Sequence, residues 1–592
     1  MSALFPLIPI KLLFVGLTVY IWTQLIKRGT ALHQPRVPRL MLGAAILSII
    51  LSVISVGKIY PYGAVTDLLI FAIATSLFMT LPMRTLAGRL LGFMLIALPL
   101  LGPLAYLLHY QVVGGAMNKD SFIAAFQTNS TEAGEYLASF TSVMSIMPIL
   151  LVVALLTWVV KHNDATPRRT IPARTTAFYS MLALLMITLA PLEKGLFTYP
   201  VDVYISYHKE ISTTRERIAQ FSQRKIDKDF HISKQGDGEV YVVVVGESLN
   251  KHHMGVYGYL LDTTPNLQRL KEQGNLFIAD NSFSNYPGTM AALSQALTAA
   301  NQKNNKHYTE SLGIVELMNE AGFMTHWIGN QPLSNSYDMI LGLIAKEAQD
   351  VQLTFDIEFH SMSHKDHKPD GVLLPLYEEV LKQRDTGKNQ VIFVHLMGNH
   401  TDYCERYPED YKRYEVDTLD AIYSHIFKGG LGHSRECYDN SILYNDYVVS
   451  TLVDDLQTSL GLDGVGGLIY FADHSEDIER GVGHSTANFS FDMVESPALI
   501  WLSEAYQEKY TDKTAALRHN LGQYYPNDFI FDTVVGMTGI KLESDAYCST
   551  CDLFSLDYDL PLENARTMHG KLAYKPLKTL QPETVVTKGQ LN

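Results

Sequence analysis

Val240-Tyr-Val-Val-Val-Val-Gly-Glu-Ser248 holds six apolar residues, five of them valine, between Glu239 and Gly246. A β-branched run of this length bounded by glycine reads as a strand buried on both faces of a parallel sheet. The pattern recurs downstream. Thr325-His-Trp-Ile-Gly329, Val391-Ile-Phe-Val-His-Leu396, Gly467-Leu-Ile-Tyr-Phe471 and Pro497-Ala-Leu-Ile-Trp501 read as strands. Gly313–Gly322 and Asp439–Ser459 read as helices. Strands alternating with helices predict an α/β domain with a mostly parallel sheet and helices on both faces. Such sheets bind ligands at the carboxyl ends of their strands.

Acid and imidazole groups stand at those ends. Gly246-Glu247-Ser248 follows the first strand, Gly398-Asn399-His400 the third, and Asp473-His474 the fourth, with His484 soon after. Glu247, Asp473 and His474 suit a borderline divalent metal, most simply zinc. A nucleophile is available in Asn281-Ser-Phe-Ser-Asn-Tyr-Pro-Gly-Thr289. Pro287-Gly288 breaks the chain, and Thr289 opens a run of helical composition. A hydroxyl at a helix N-terminus faces free N–H groups and the positive end of the dipole, which suits a phosphoryl group. An ordinary helix cap is the plainer reading of the same threonine.

Outward from this domain the composition changes. Only 18% of the 592 residues are charged, against about a quarter in soluble proteins. Residues 1–200 hold 14 Lys/Arg and 6 Asp/Glu, whereas residues 201–592 hold 33 and 55. So acidic a C-terminal part is a poor nucleic-acid binder. Six apolar stretches, roughly 4–25, 40–57, 63–83, 90–110, 138–160 and 175–193, are long enough to span a bilayer. Arg-rich loops follow the first, third and fifth. The positive-inside rule places these loops in the cytoplasm and everything beyond about residue 195 on the outer side. The segment 111–137 is expected to form an outer-face helix, 196–237 an interfacial helix and solvated tether, and 563–592 a polar tail. All four cysteines, Cys404, Cys437, Cys548 and Cys551, fall in the exported part. There they read as two disulfides, Cys404–Cys437 and a local Cys548–Cys551. Half a zinc knuckle is the alternative for the second pair.

Val244-Val-Gly-Glu-Ser248, Met254-Gly-Val-Tyr-Gly-Tyr259, Asn285-Tyr-Pro-Gly-Thr289, His395-Leu-Met-Gly-Asn-His400 with Arg406-Tyr-Pro408, and Ala472-Asp-His-Ser-Glu476 together resemble the membrane-anchored phosphoethanolamine transferases of Gram-negative envelopes. These enzymes belong to the alkaline phosphatase/sulfatase superfamily. The resemblance implies that Glu247, Asp473 and His474 are zinc ligands. It makes Thr289 the nucleophile, also touching the metal, and sets His400 and His484 beside the transferred group or at a second metal. Ser248, although it directly follows the strand, is then not the nucleophile. Pro287 stands where many lipid A-modifying members have cysteine, so the chain looks closer to the core-oligosaccharide or glucan-modifying branches.

The implied reaction moves phosphoethanolamine from phosphatidylethanolamine to a lipopolysaccharide or periplasmic glucan. It takes place in the periplasm, at the inner membrane, through a phospho-threonine intermediate. A phosphoglycerol transferase or a metal-dependent phosphodiesterase on the same scaffold is the alternative. A sulfatase is disfavoured, because Thr289-Met-Ala-Ala-Leu293 lacks the Cys or Ser, the proline and the arginine of a formylglycine precursor. A degenerate, non-enzymatic envelope protein would have lost these residue types.

Overall fold

A computed structural model describes residues 231–577 apart from 332–338, 355–367, 416–431, 481–482 and 485, with a few helical residues before them. The six expected spans, their loops and the segment 111–137 lie outside the described residues, except Leu91 and Met94. Among the described residues no helix is long and apolar enough to cross a membrane. Residues 204–209 are helical, within the stretch expected at the interface. The chain divides into two compact units, Met1–Ser212 and Thr213–Asn592. The second contains everything described below.

Its centre is a seven-stranded sheet. The strands are β1 (Val240–Gly246), β2 (Leu276–Ile278), β3 (Met324–Gly329), β4 (Asp350–Leu353), β5 (Gln390–His395), β6 (Gly466–Ala472) and β7 (Ala498–Leu502), in the order β2-β7-β6-β1-β5-β3-β4. All seven residues of β1 are buried. Tyr241, Val243 and Val245 pack on one face, with Leu293, Leu317 and Val534. Val240, Val242 and Val244 pack on the other, with Leu267, Tyr377 and Leu452. Helices therefore cover both faces, as the continuous valine run requires. Truncating Val243, which has no exposed surface, would cost about 1–3 kcal/mol.

The sheet is mixed, which refines the expectation of a mostly parallel one. Strands β6, β1, β5, β3 and β4 are parallel, but β7 is antiparallel to both β6 and β2. The reason lies in residues 473–497. They leave the carboxyl end of β6 and return to it, where Ala498 pairs with Phe471. A chain that never crosses to the other end of the sheet must re-enter running backwards. That excursion carries Asp473, His474 and His484.

Two further segments differ from expectation. His231–Ser233, read as tether, pairs antiparallel with Lys541–Glu543. Residues 563–577, read as the start of a polar tail, are folded onto the domain, with Ala565, Thr567 and Tyr574 buried. Both disulfides are present, Cys404–Cys437 and Cys548–Cys551, so the zinc-knuckle alternative is set aside.

Candidate active site

Glu247 and Asp473 each follow their strand immediately, on the neighbouring strands β1 and β6. Glu247, Asp473 and His474 are fully buried, and their ligand atoms all lie within 4.8 Å of one another. His474 Nε2 stands 3.3 Å from Glu247 Oε1 and 3.3 Å from Asp473 Oδ2. Its Nδ1 is 3.1 Å from Ser475 O. A carbonyl only accepts, so Nδ1 carries a proton and Nε2 is the atom turned to the carboxylates.

Thr289 joins this cluster from the face opposite in sequence. The helix α1 (Thr289–Ala296) begins at Thr289, after Gly288 in extended backbone. Thr289 Oγ1 donates to Glu247 Oε1 and Oε2 at 3.3 and 3.4 Å and lies 3.3 Å from His474 Nε2. The loop before it is tied to the ligand strand. Ser284 Oγ and Asn527 Nδ2 both donate to Asp473 O, at 2.6 and 2.7 Å. Ser248 is turned to the same two carboxylates. It is fully buried, with φ 56, and its N–H and Oγ–H are spent on Asp473 Oδ1 and Glu247 Oε1, at 3.0 and 2.9 Å.

The three ligand-type residues perturb one another strongly. Burial and the adjacent Glu247 charge push the Asp473 carboxyl up to about 8. Burial works against the charged form of Glu247, but His474, His400 and His484 outweigh it and hold the carboxyl well below its ordinary range. His474 is likewise opposed by burial, yet Asp473 and Glu247 raise it to about 10. Asp473 Oδ2 is buried without a hydrogen-bond partner among the described residues. Two carboxylates, one imidazole and a hydroxyl converging on one point fit zinc in ligand type and number.

His400 and His484 lie on the rim. Main-chain bonds from Met397 and Gly398 N–H to Asp370, at 2.9 and 2.7 Å, hold the loop of His400. Gly398 (φ +51) packs so tightly on Glu247 that a Cβ would lie 2.9 Å from its backbone N and O. Arg406 grips the same loop through His400 O at 3.2 Å. Burial lowers the His400 imidazole to about 4, with Arg406 and His484 adding to the effect against Glu247, so it is neutral at pH 7. His484 has its ring 4.3 Å from that of His474, and its Nδ1 lies 2.7 Å from Glu476 Oε1. His474, Glu476 and His484 form a second group able to hold a metal.

Three supporting residues escaped the sequence reading. Asp370 holds the His400 loop, as above. Gln331, just past β3, donates to Glu247 Oε2 at 3.3 Å and to Leu396 O at 2.9 Å. Glu476 orients His484. The available signal was position: Gln331 follows a strand end, as Glu247 does, and Glu476 lies three residues beyond Asp473.

Residues 239–540 match the model of the family described as Sulfatase. The chain belongs to the sulfatase family. Within it, the chain is 29% identical over 435 residues to phosphoethanolamine transferase EptC of Escherichia coli O18:K1:H7, covering 68% of this chain and 72% of that protein. The crystal structure of the C-terminal periplasmic domain of EcEptC from Escherichia coli in complex with Zn is 26% identical, with a TM-score of 0.50, over 58% of this chain and 96% of that one. The integral membrane protein lipooligosaccharide phosphoethanolamine transferase A (EptA) from Neisseria meningitidis covers 87% of this chain and 97% of its own, with a TM-score of 0.56. At 17% identity that likeness is one of fold. These sulfatase-family relatives bear out the resemblance carried by the motifs.

Proposed function

We propose that this chain transfers phosphoethanolamine from phosphatidylethanolamine to an envelope glycan or lipopolysaccharide acceptor, with Thr289 as nucleophile. The observation that carries the reading is the position of Thr289 Oγ1. It lies at a helix N-terminus and within 3.4 Å of both Glu247 and His474. The zinc-complexed relative and the transferase named among the relatives support it.

Glu247, Asp473 and His474 would hold zinc, with Thr289 at its edge. Bound there, the ion would make the threonine hydroxyl more acidic and offset charge on the phosphoryl oxygens. The protein's own groups supply the rest. Thr289 attacks phosphorus, and the bond from phosphorus to the diacylglycerol oxygen breaks. The hydroxyl already donates toward Glu247, so its proton has an acceptor. The N–H groups of the first turn of α1 have no acceptor within the helix and face the phosphoryl group. His484, fixed by Glu476, gives a proton to the departing oxygen. In the second half-reaction it takes one from the acceptor hydroxyl as that oxygen displaces Thr289, and the threonine oxygen regains its proton from Glu247. His400, neutral, accepts a hydrogen bond from the transferred group or would serve a second metal.

The N-terminal third is proposed to be a six-span anchor in the bacterial inner membrane, residues 1–195, joined through 196–237 to a periplasmic catalytic domain beginning at 238. The apolar spans, the charge asymmetry and the extent of the likeness to the integral membrane transferase support this. The glucan or core-oligosaccharide branch is favoured by Pro287. Intact-mass measurement of the full-length protein with phosphatidylethanolamine tests the reaction. A phosphoethanolamine adduct is expected on the wild type and absent from Thr289→Ala. An adduct that persists in that variant would sink the assignment.

A further inference from the structure

The hairpin of β8 (Arg566–Thr567) and β9 (Leu572–Ala573) lies beyond the residues matched to the sulfatase family. Its turn holds three consecutive residues in the left-handed region, Met568 (φ 53), His569 (φ 54) and Gly570 (φ 77). Glycine takes this conformation freely, but Met568 and His569 each cost on the order of 1–2 kcal/mol. Such strain persists only where surrounding contacts fix it.

Here the contacts converge on the nucleophile turn. Thr567 Oγ1 donates to Ser284 O at 2.9 Å. His569 N–H donates to Asn285 O at 3.1 Å. The His569 ring lies 4.7 Å from that of Tyr286, and its Nε2 is 3.0 Å from Ala291 O. Because a carbonyl only accepts, Nε2–H is the donor. His569 therefore brackets Thr289, holding the chain on both sides of it. The far strand of the hairpin is anchored by Tyr574, which stacks on Phe283 at 3.9 Å and donates to Glu495 Oε1 at 2.7 Å. Between the two grips lies Gly288, where an added Cβ would meet only Tyr286, at 3.9 Å. Gly288 itself therefore has little packing to hold it.

We propose that His569 is a positioning residue for the nucleophile. It fixes the Gly288 turn so that Thr289 Oγ1 stays aligned on Glu247 and His474, without itself touching substrate. The proposal rests on the transfer reaction above for its kinetic consequence, and on contacts alone for its structural one.

The test uses the full-length protein in detergent with headgroup-labelled phosphatidylethanolamine. His569→Asn keeps a residue that tolerates left-handed backbone but is too short to reach Ala291 O. His569→Gln keeps an N–H donor near the position of Nε2. The Asn variant is expected to lose about tenfold to a hundredfold in kcat, the scale of a misplaced reacting group. Its KM and zinc content should stay at wild-type values, and the Gln variant should recover most of the rate. Amide exchange over residues 285–292 should rise in the Asn variant and fall back in the Gln variant. Wild-type kcat in the Asn variant, an equal loss in the Gln variant, or a fall in zinc content that tracks kcat overturns the proposal. A wild-type protein that transfers no headgroup sinks the reaction instead. Exchange then decides the positioning role by itself, and unchanged exchange in the Asn variant overturns it.

Discussion

Thr289 Oγ1 lies 3.3 Å from His474 Nε2, and the opposite nitrogen of that ring is held by Ser475 O at 3.1 Å. The backbone carbonyl of Ser475 thus sets which imidazole nitrogen faces Thr289. A hydroxyl placed this way is replaceable in kind but not removable. Thr289→Ala should lose at least about a thousandfold in transfer rate, whereas Thr289→Ser should retain measurable turnover. Headgroup-release kinetics check both. Equal loss in the two variants would show that the methyl, not the hydroxyl, matters.

Gln331 supports the metal set from the side of β3 by donating to Glu247 Oε2. Outer partners of this kind typically tune metal affinity about tenfold to a hundredfold. Gln331→Leu should weaken zinc retention by that factor, measured by competition with a chelator and metal analysis. Retention at the wild-type level would assign Gln331 to the Leu396 loop alone.

Glu476 is the orienting group for His484, with 2.7 Å between Oε1 and Nδ1. Glu476→Gln replaces the carboxylate that holds His484 Nδ1 with an amide and lets the imidazole change tautomer. A fall in kcat of about a hundredfold is expected, within the range of general acid–base effects. KM for the lipid should change little. A pure KM effect would make the pair a binding element rather than a proton carrier.

Asp552 gives a pH signature remote from the site. It is buried and accepts from Phe554 N–H and Tyr547 O–H, both at 2.8 Å. Burial raises its carboxyl to about 7, against the charge of Lys513. The folded state therefore keeps this proton over a range where the unfolded chain, with a carboxyl near 3.8, has released it. Its contribution to stability is full below about pH 4 and is lost as pH rises through about 7, by at most about 1.4 kcal/mol per pH unit. Asp552→Asn keeps the shape and removes the titration. Its melting temperature should fall less than that of the wild type between about pH 4 and pH 7. Parallel curves would show that Asp552 is ionised in the folded protein.

The Cys404–Cys437 bridge spans 33 residues and fastens the loop that follows His400 to the long helix α2 (Gly432–Leu460). Chain entropy alone gives such a bridge about 3–4 kcal/mol. Replacing both cysteines by serine should lower the melting temperature and reduce transfer, because the His400 loop loses its tether. The same change at Cys548–Cys551, three residues apart, should leave kcat nearly unaltered. Loss of activity in the second pair alone would reverse this assignment.

Much of the site was readable because three of its residues obey one local rule: Glu247 and Asp473 stand directly after a strand, and His474 is the next residue. Five strands were equally readable, four as apolar runs and Thr325–Gly329 as a short strand. The strands β2 and β4, of three and four residues, are too short to show a period. Gln331 and Glu247 are 84 residues apart, and their contact depends on β1 and β3 both flanking β5. The bracket around Thr289 is more distant still, with His569 and Ala291 separated by 278 residues.

The sequence by itself determined the class of the domain and its candidate metal-binding residue types, because strand burial and strand-end chemistry are local properties of the chain; Thr289 as candidate nucleophile came from the resemblance of its motif. It also carried the expectation of an anchored N-terminal third, through apolar length and the asymmetry of charge. Only the tertiary structure decided that β7 runs backwards, that His474 presents Nε2 to Thr289, and that residues 566–574 belong to the surroundings of Thr289. Each of these depends on pairings between residues far apart in the chain, and such pairings leave no trace in composition or period.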